Sequence, residues 1–185
     1  MLLSVGHSNR TLEQLITILE VHHVDMVADV RGGRAGSKTF PHFNKENLSV
    51  SLPTRGIFYR HIPELGGRRP VNKEIDQYIN SAWRVPAFKA YADYAYTSSQ
   101  FDAGLRDLME EGRYKRVAFM CSEAVPWRCH RSIITDYLVL VYNVPVLHLL
   151  SEKQTLESKP HSFSEKDGNK LRYPKSPTRS DVLQF

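Results

Sequence analysis

Short apolar runs alternate with amphipathic segments along the first 150 residues of the chain. Five of these runs have the length and composition of β-strands, and they cover residues 2–6, 24–30, 56–63, 116–121 and 144–150. The second run, VDMVADV, is apolar except for its aspartates, which is typical of a parallel strand that is buried on both faces of a sheet. The pattern therefore predicts a mainly parallel sheet.

Helical periodicity separates the predicted strands. Thr11 and Gln14 form a capping-box pattern, and the apolar stripe of a helix follows at Leu12, Leu15, Ile16 and Leu19. Further helices are expected over about 44–52, in pieces over 71–112, and from residue 131 onward. Strands that alternate with helices predict an α/β protein, here a three-layer, Rossmann-like open sheet that is mainly parallel and has about five strands.

The composition changes near residue 151. Only scattered apolar residues occur among the Ser, Lys, Pro and Glu of residues 151–185, so this segment buries too little surface to offset the entropy of ordering it. We expect a single α/β domain over residues 1–150, followed by a polar and flexible or loosely docked extension.

The overall composition is that of a soluble globular protein. The 185 residues are 41% hydrophobic and 24% charged, and no apolar stretch is long enough to span a membrane or to form a signal peptide. We therefore expect a cytoplasmic protein that has no membrane partner. The formal net charge of +5 favours an anionic partner such as a nucleotide or nucleic acid.

Reactive or charged residues follow four of the five predicted strands. The carboxyl ends of parallel strands meet at one edge of the sheet, where ligands bind, so these residues predict a polar, anion-binding site: His7, Ser8, Arg10, Asp29, Arg31, Arg68, Cys121 and Glu123. Some of them also have a structural interpretation. Asp29 could bond to backbone amides or to Arg31, and His7 and Ser8 could cap the following helix.

The stretch CSEAVPWRCHRS, residues 121–132, contains the only two cysteines of the chain. Cys121 ends the fourth predicted strand, and Cys129 and His130 precede the next helix. A helix N-terminus lowers the pKa of a thiol and attracts anions, and Arg128 and Arg131 add positive charge. A reducing compartment argues against a permanent disulfide.

Three interpretations of the cysteines remain open. In the first, Cys129 or Cys121 is a nucleophile or redox thiol, His130 or His7 accepts its proton, and the arginines hold a phosphate or carboxylate. In the second, both cysteines and a histidine bind zinc, although the seven intervening residues differ from the usual short spacing. In the third, the cysteines only pack, and Arg131 with the helix terminus binds an anion. The Cys–Arg spacing of a phosphatase loop is not present.

Several motifs, in chain order, resemble the family known as domain of unknown function 488. They are SVGHSNRTLEQ, VADVRGG, PHFNKENL, IFYRHIPELGGRR, FKAYADYAYTSSQFDAGL and FMCSEAVPWRCHRSIITDYL, within about residues 1–150. The resemblance implies a compact α/β domain. The family elements GHS, DVR, LGGR and C…CHR fall on His7, Ser8, Asp29, Arg31, Leu65, Gly66, Gly67, Arg68, Cys121, Glu123, Cys129, His130 and Arg131.

The chain departs from the family pattern after DVR. Such proteins commonly continue with a proline and a serine–arginine pair, whereas this chain has GGRAGS over residues 32–37. We therefore expect this loop to be more mobile here.

Together these observations predict an enzyme that acts on a nucleotide or nucleic-acid substrate. In this hypothesis Arg31, Arg68 and Arg131 position phosphate, while Ser8, Arg10 and Glu123 complete the anion-binding pocket. Cys129 or Cys121 supplies thiol chemistry, and His7, Asp29 and His130 transfer protons. The alternative is a non-enzymatic protein that binds a nucleotide or single-stranded nucleic acid with the same residues.

Overall fold

The computed structural model describes residues 1–33, 35–36 and 38–175. Its main sheet contains β1 (Leu2–Gly6), β2 (Met26–Asp29), β3 (Phe58–His61), β4 (Val117–Cys121), β5 (Val146–Leu149) and β6 (Thr155–Glu157). The spatial order is β3-β2-β4-β1-β5-β6. The first five strands are parallel, and β6 pairs antiparallel with β5. The predicted mainly parallel α/β sheet is confirmed, with one antiparallel strand added at its edge.

Five α-helices connect the strands in the described ranges: α1 (Leu12–Val21), α2 (Lys45–Ser51), α3 (Pro86–Thr97), α4 (Ser99–Tyr114) and α5 (Arg131–Asp136). The capping box of Thr11 and Gln14 forms as predicted. A π-helical turn, Tyr137–Val141, continues α5. Residues 71–85 form turns rather than the predicted helix. No helix of the described chain is long and apolar enough to cross a membrane.

The helices form one layer on each face of the sheet. The chain moves towards the β3 edge after β1 and β2, and back towards the β5 edge after β3 and β4. Because crossovers between parallel strands are right-handed, this reversal puts α1 and α2 on one face and α3 to α5 on the other. The buried side chains agree, since Leu15 and Leu48 belong to one core cluster and Leu105 and Ile133 to the other.

Residues 151–175 are part of the folded domain, in contrast to the flexible extension expected from their composition. β6 lengthens the sheet, and β7 (Glu165–Asp167) and β8 (Lys170–Arg172) form a hairpin. Leu171 and Tyr173 are fully buried in the α3–α5 core. Two well-placed apolar side chains anchor a segment whose average composition is polar. Residues 176–185 lie outside the described ranges.

Candidate functional site

The predicted site residues lie at the carboxyl edge of the sheet, but on its two opposite faces. Side chains alternate between faces along a strand, and the parallel register pairs Gly6 with Cys121. Cys121 and Cys129 belong to the core beneath α3 to α5. His7 lies on the other side, where its ring stacks on Phe43 at a centroid distance of 4.2 Å. The edge therefore carries two separate polar clusters.

The first, which we call the thiol cluster, consists of Cys121, Cys129, His130 and Arg131. The two thiols are free, and their sulfurs lie 2.7 Å apart. They are only 1% and 3% exposed. Cys129 Sγ also lies 3.5 Å from His130 Nδ1. The backbone amide of Glu123 donates to Cys121 Sγ at 3.2 Å.

The His130 ring is held in a fixed orientation towards Cys129. Its Nε2 donates to the carbonyl of Val30 at 2.8 Å, because a carbonyl can only accept. Nδ1 is then the nitrogen that faces Cys129, where it can accept the thiol proton and form an imidazolium beside the thiolate. Gly67 packs directly on the ring, since a Cβ at this position would lie 2.4 Å from Nδ1. The LGGR motif therefore positions the histidine.

Arg131 is buried beside Cys129 and has no carboxylate partner in the described part of the chain. Its side chain is 1% exposed. Nε lies 3.5 Å from Cys129 Sγ, and the backbone amide donates to the same sulfur at 3.4 Å. The remaining donors reach Ser4 Oγ at 3.4 Å and the carbonyl of Glu123 at 2.5 Å. Among the described residues, the cysteine thiols are thus its only acidic partners.

These contacts shift the pKa values of the two thiols in opposite directions. Burial alone raises the pKa of Cys129, but the hydrogen bond with Cys121 and the charges of His130 and Arg131 outweigh it and leave the pKa well below that of a free thiol. Burial and the hydrogen bond with Cys129 raise the pKa of Cys121. Of the two thiols, Cys129 is therefore the one that loses its proton more readily.

Ser4 and His148 extend the thiol cluster inside the sheet. Ser4 Oγ accepts from Arg131 and lies 2.7 Å from His148 Nδ1. Burial, and then the charge of Arg131, lower the pKa of His148 to about 4, so the ring is neutral at pH 7. The sequence analysis missed both residues. The sequence feature that could have identified them is a polar residue in the middle of an otherwise apolar strand.

The second cluster joins His7, Asp29, Arg31 and Tyr59, and we call it the His7 cluster. Arg31 forms two hydrogen bonds to Asp29, of 2.8 and 2.6 Å, and Tyr59 donates to the same carboxylate at 2.7 Å. Arg31 Nη1 lies 3.3 Å from His7 Nε2. Burial lowers the pKa of His7 to about 4. These internal pairs connect the ends of β1 and β2 with the middle of β3, and the contacts do not bring His7 or Asp29 to the Cys129 thiol.

The remaining predicted residues lie around the clusters. Arg10 donates to the carbonyls of Gly6 and Leu150 at 2.5 and 2.6 Å, and with Ser8 it lines an open groove of about 900 Å³. Burial and the charge of Arg131 lower the pKa of Arg10. Glu123 contributes through its backbone, and its side chain is exposed. Arg68 is exposed immediately after Gly67.

The donor atoms of Cys121, Cys129 and His130 lie within 4.8 Å of one another, which is close enough for the three residues to share a metal ion. A structural zinc site has four protein ligands, whereas a catalytic site has three and keeps one position open. These residues supply three ligands, so a zinc ion in this place would have an open position. The zinc hypothesis stays a prediction.

The fold and the clusters define an α/β domain with a buried Cys-His-Arg group at the carboxyl edge of its sheet. Residues 11–138 match the family model described as domain of unknown function DUF488, and the chain belongs to this family. The resemblance inferred from the motifs is thus confirmed, although His7 and Ser8 precede the matched range. No curated protein and no solved structure matches the chain.

Proposed function

We propose that the protein is an enzyme that uses the Cys129 thiolate on a nucleotide or nucleic-acid substrate. One observation carries this proposal: Arg131 is buried with thiols as its only acidic partners in the described chain. Because an unpaired buried guanidinium is costly, it favours a negative charge on Cys129. The thiolate is the nucleophilic form of cysteine.

The neighbours of Cys129 have distinct roles in this mechanism. Cys121 donates to the thiolate and stabilises it in the resting state. His130 Nδ1 accepts the thiol proton and can return a proton to a leaving group. Arg31 and Arg131 are engaged inside the protein. We therefore assign the contact with substrate phosphate to the exposed Arg68 rather than to these two residues.

A thiolate titration tests the nucleophile. We expect the ultraviolet absorbance of one thiolate to persist well below the pKa of about 8.5 of a free cysteine. Cys129→Ser should abolish this signal. Cys121→Ser, which keeps a hydrogen-bond donor beside Cys129, is the matched control and should retain it. A titration of the wild-type protein with an ordinary thiol pKa would contradict the proposal.

The second candidate function is a non-enzymatic nucleotide or single-stranded nucleic-acid binder. Its support is the burial of both sulfurs and the lining of the 900 Å³ groove, which includes neither cysteine. Cys129, at 3% exposure, would have to become accessible before a substrate could reach it. If both serine variants leave ligand binding and every measurable turnover unchanged, the thiol enzyme is wrong and the binder remains.

A further inference from the structure

The two tryptophans of the chain have opposite environments. Trp83 contacts four aromatic rings, those of Phe88, His161, Phe163 and Tyr173. Trp127 is 54% exposed and has no ring partner in the part of the chain that the structure describes. A large apolar ring left in water is unfavourable for folding and is typical of a binding surface.

A well-anchored turn presents Trp127 to the solvent. Pro126, Trp127 and Arg128 form one 3₁₀ turn, and the side chain of Pro126 is buried. The amide of Cys129 donates to the carbonyl of Pro126 at 3.2 Å, and that of Arg128 to Val125 at 3.3 Å. The indole is therefore held two residues before the proposed nucleophile.

Two exposed arginines belong to the same edge of the sheet. Arg128 follows Trp127 directly, and Arg68 follows Gly67, whose backbone touches the ring of His130. Neither guanidinium forms a hydrogen bond or ion pair with any described residue. Exposed arginines elsewhere are of both kinds, since Arg55 and Arg113 pair with carboxylates, whereas Arg84 and Arg106 have no such partner in the described chain. Arg128 adjoins Trp127 in the sequence and Arg68 lies at the same edge of the sheet, so both cations remain available to a ligand there.

We propose that Trp127, Arg128 and Arg68 form a binding site for single-stranded nucleic acid. The indole stacks on an unpaired base, and the two guanidinium groups contact backbone phosphates near it. A single strand suits the site because a base in a duplex already stacks on its neighbours. The inference rests on the proposed function, since this site would hold the strand beside Cys129.

The binding test uses fluorescence anisotropy with a labelled oligothymidylate at two salt concentrations. We expect Trp127→Ala to weaken binding about tenfold or more, and Trp127→Phe to retain part of the affinity. Arg68→Ala and Arg128→Ala should each weaken binding and reduce the salt dependence by about one counterion. Tyr114→Ala is the matched control because Tyr114 is 80% exposed and ends α4 at the opposite edge. It should bind as the wild type does.

Three results would overturn the inference. The first is an affinity of Trp127→Ala for the oligonucleotide that equals that of the wild type. The second is a wild-type affinity for a mononucleotide as high as for the oligonucleotide, and the third is a wild-type affinity for polyglutamate as high as for the oligonucleotide. The inference and the proposed function can fail separately. Loss of binding in Trp127→Ala with an unchanged thiolate titration supports the nucleic-acid site alone, whereas an ordinary thiol titration in the wild type contradicts only the nucleophile.

Discussion

At the scale of single residues, the two faces of the sheet balance a buried arginine in different ways. Arg31 pairs with the carboxylate of Asp29. Arg131 has thiols instead, so its burial requires a low thiol pKa. Conversely, burial lowers the pKa of Arg131, but the neighbouring thiols of Cys121 and Cys129 outweigh burial and raise it. The two groups stabilise each other's charge.

This coupling makes a specific stability prediction. Cys129→Ser leaves Arg131 buried without a counter-charge, and we expect it to lower the free energy of unfolding by about 3 kcal/mol. Arg131→Met in the same chain removes the unpaired charge and should restore part of the loss. Urea unfolding of both single variants and the double variant measures the coupling. Strictly additive effects would show that the two groups do not form a charge pair.

At the scale of the elements, the sequence predicted most strands and the sheet edge at which the candidate residues lie. It also located Cys121 at the end of a strand and Cys129 before a helix. The division into two clusters could not be predicted, because it depends on which strands are neighbours. Only the order β2-β4-β1-β5 brings Ser4 of β1 between Arg131 and His148.

The C-terminal hairpin shows how average composition can mislead about a single element. Leu171 in β8 is fully buried, and its neighbour Tyr173 donates to Asp136 at 3.0 Å. We expect Leu171→Ala to lower the free energy of unfolding by about 3 kcal/mol, as cavities in a core do. Leu156→Ala in β6, where the side chain is 40% exposed, is the control. Equal losses in denaturant titrations would mean that the hairpin does not contribute to the core.

At the scale of the whole molecule, both clusters bury a neutral histidine beside an arginine. The pKa values of His7 and His148 are lowered from 6.5 to about 4, mainly by burial. Between these two pH values the folded protein binds fewer protons than the unfolded chain. The contribution of these two histidines to the free energy of unfolding is therefore complete above pH 6.5, and it is lost as the pH drops towards 4. Acid should thus weaken both faces of the sheet edge at once.

Each histidine can contribute roughly 3 kcal/mol to this loss as an upper value. We expect His148→Gln and His7→Gln each to reduce the difference in unfolding free energy between pH 6.5 and pH 4, because neither replacement can be protonated. His23→Asn is the control, since His23 is exposed and lies outside both clusters. Denaturant unfolding at the two pH values measures the effect. An acid sensitivity that both glutamine variants leave unchanged would show that carboxylates, rather than these buried rings, determine the response of the fold to acid.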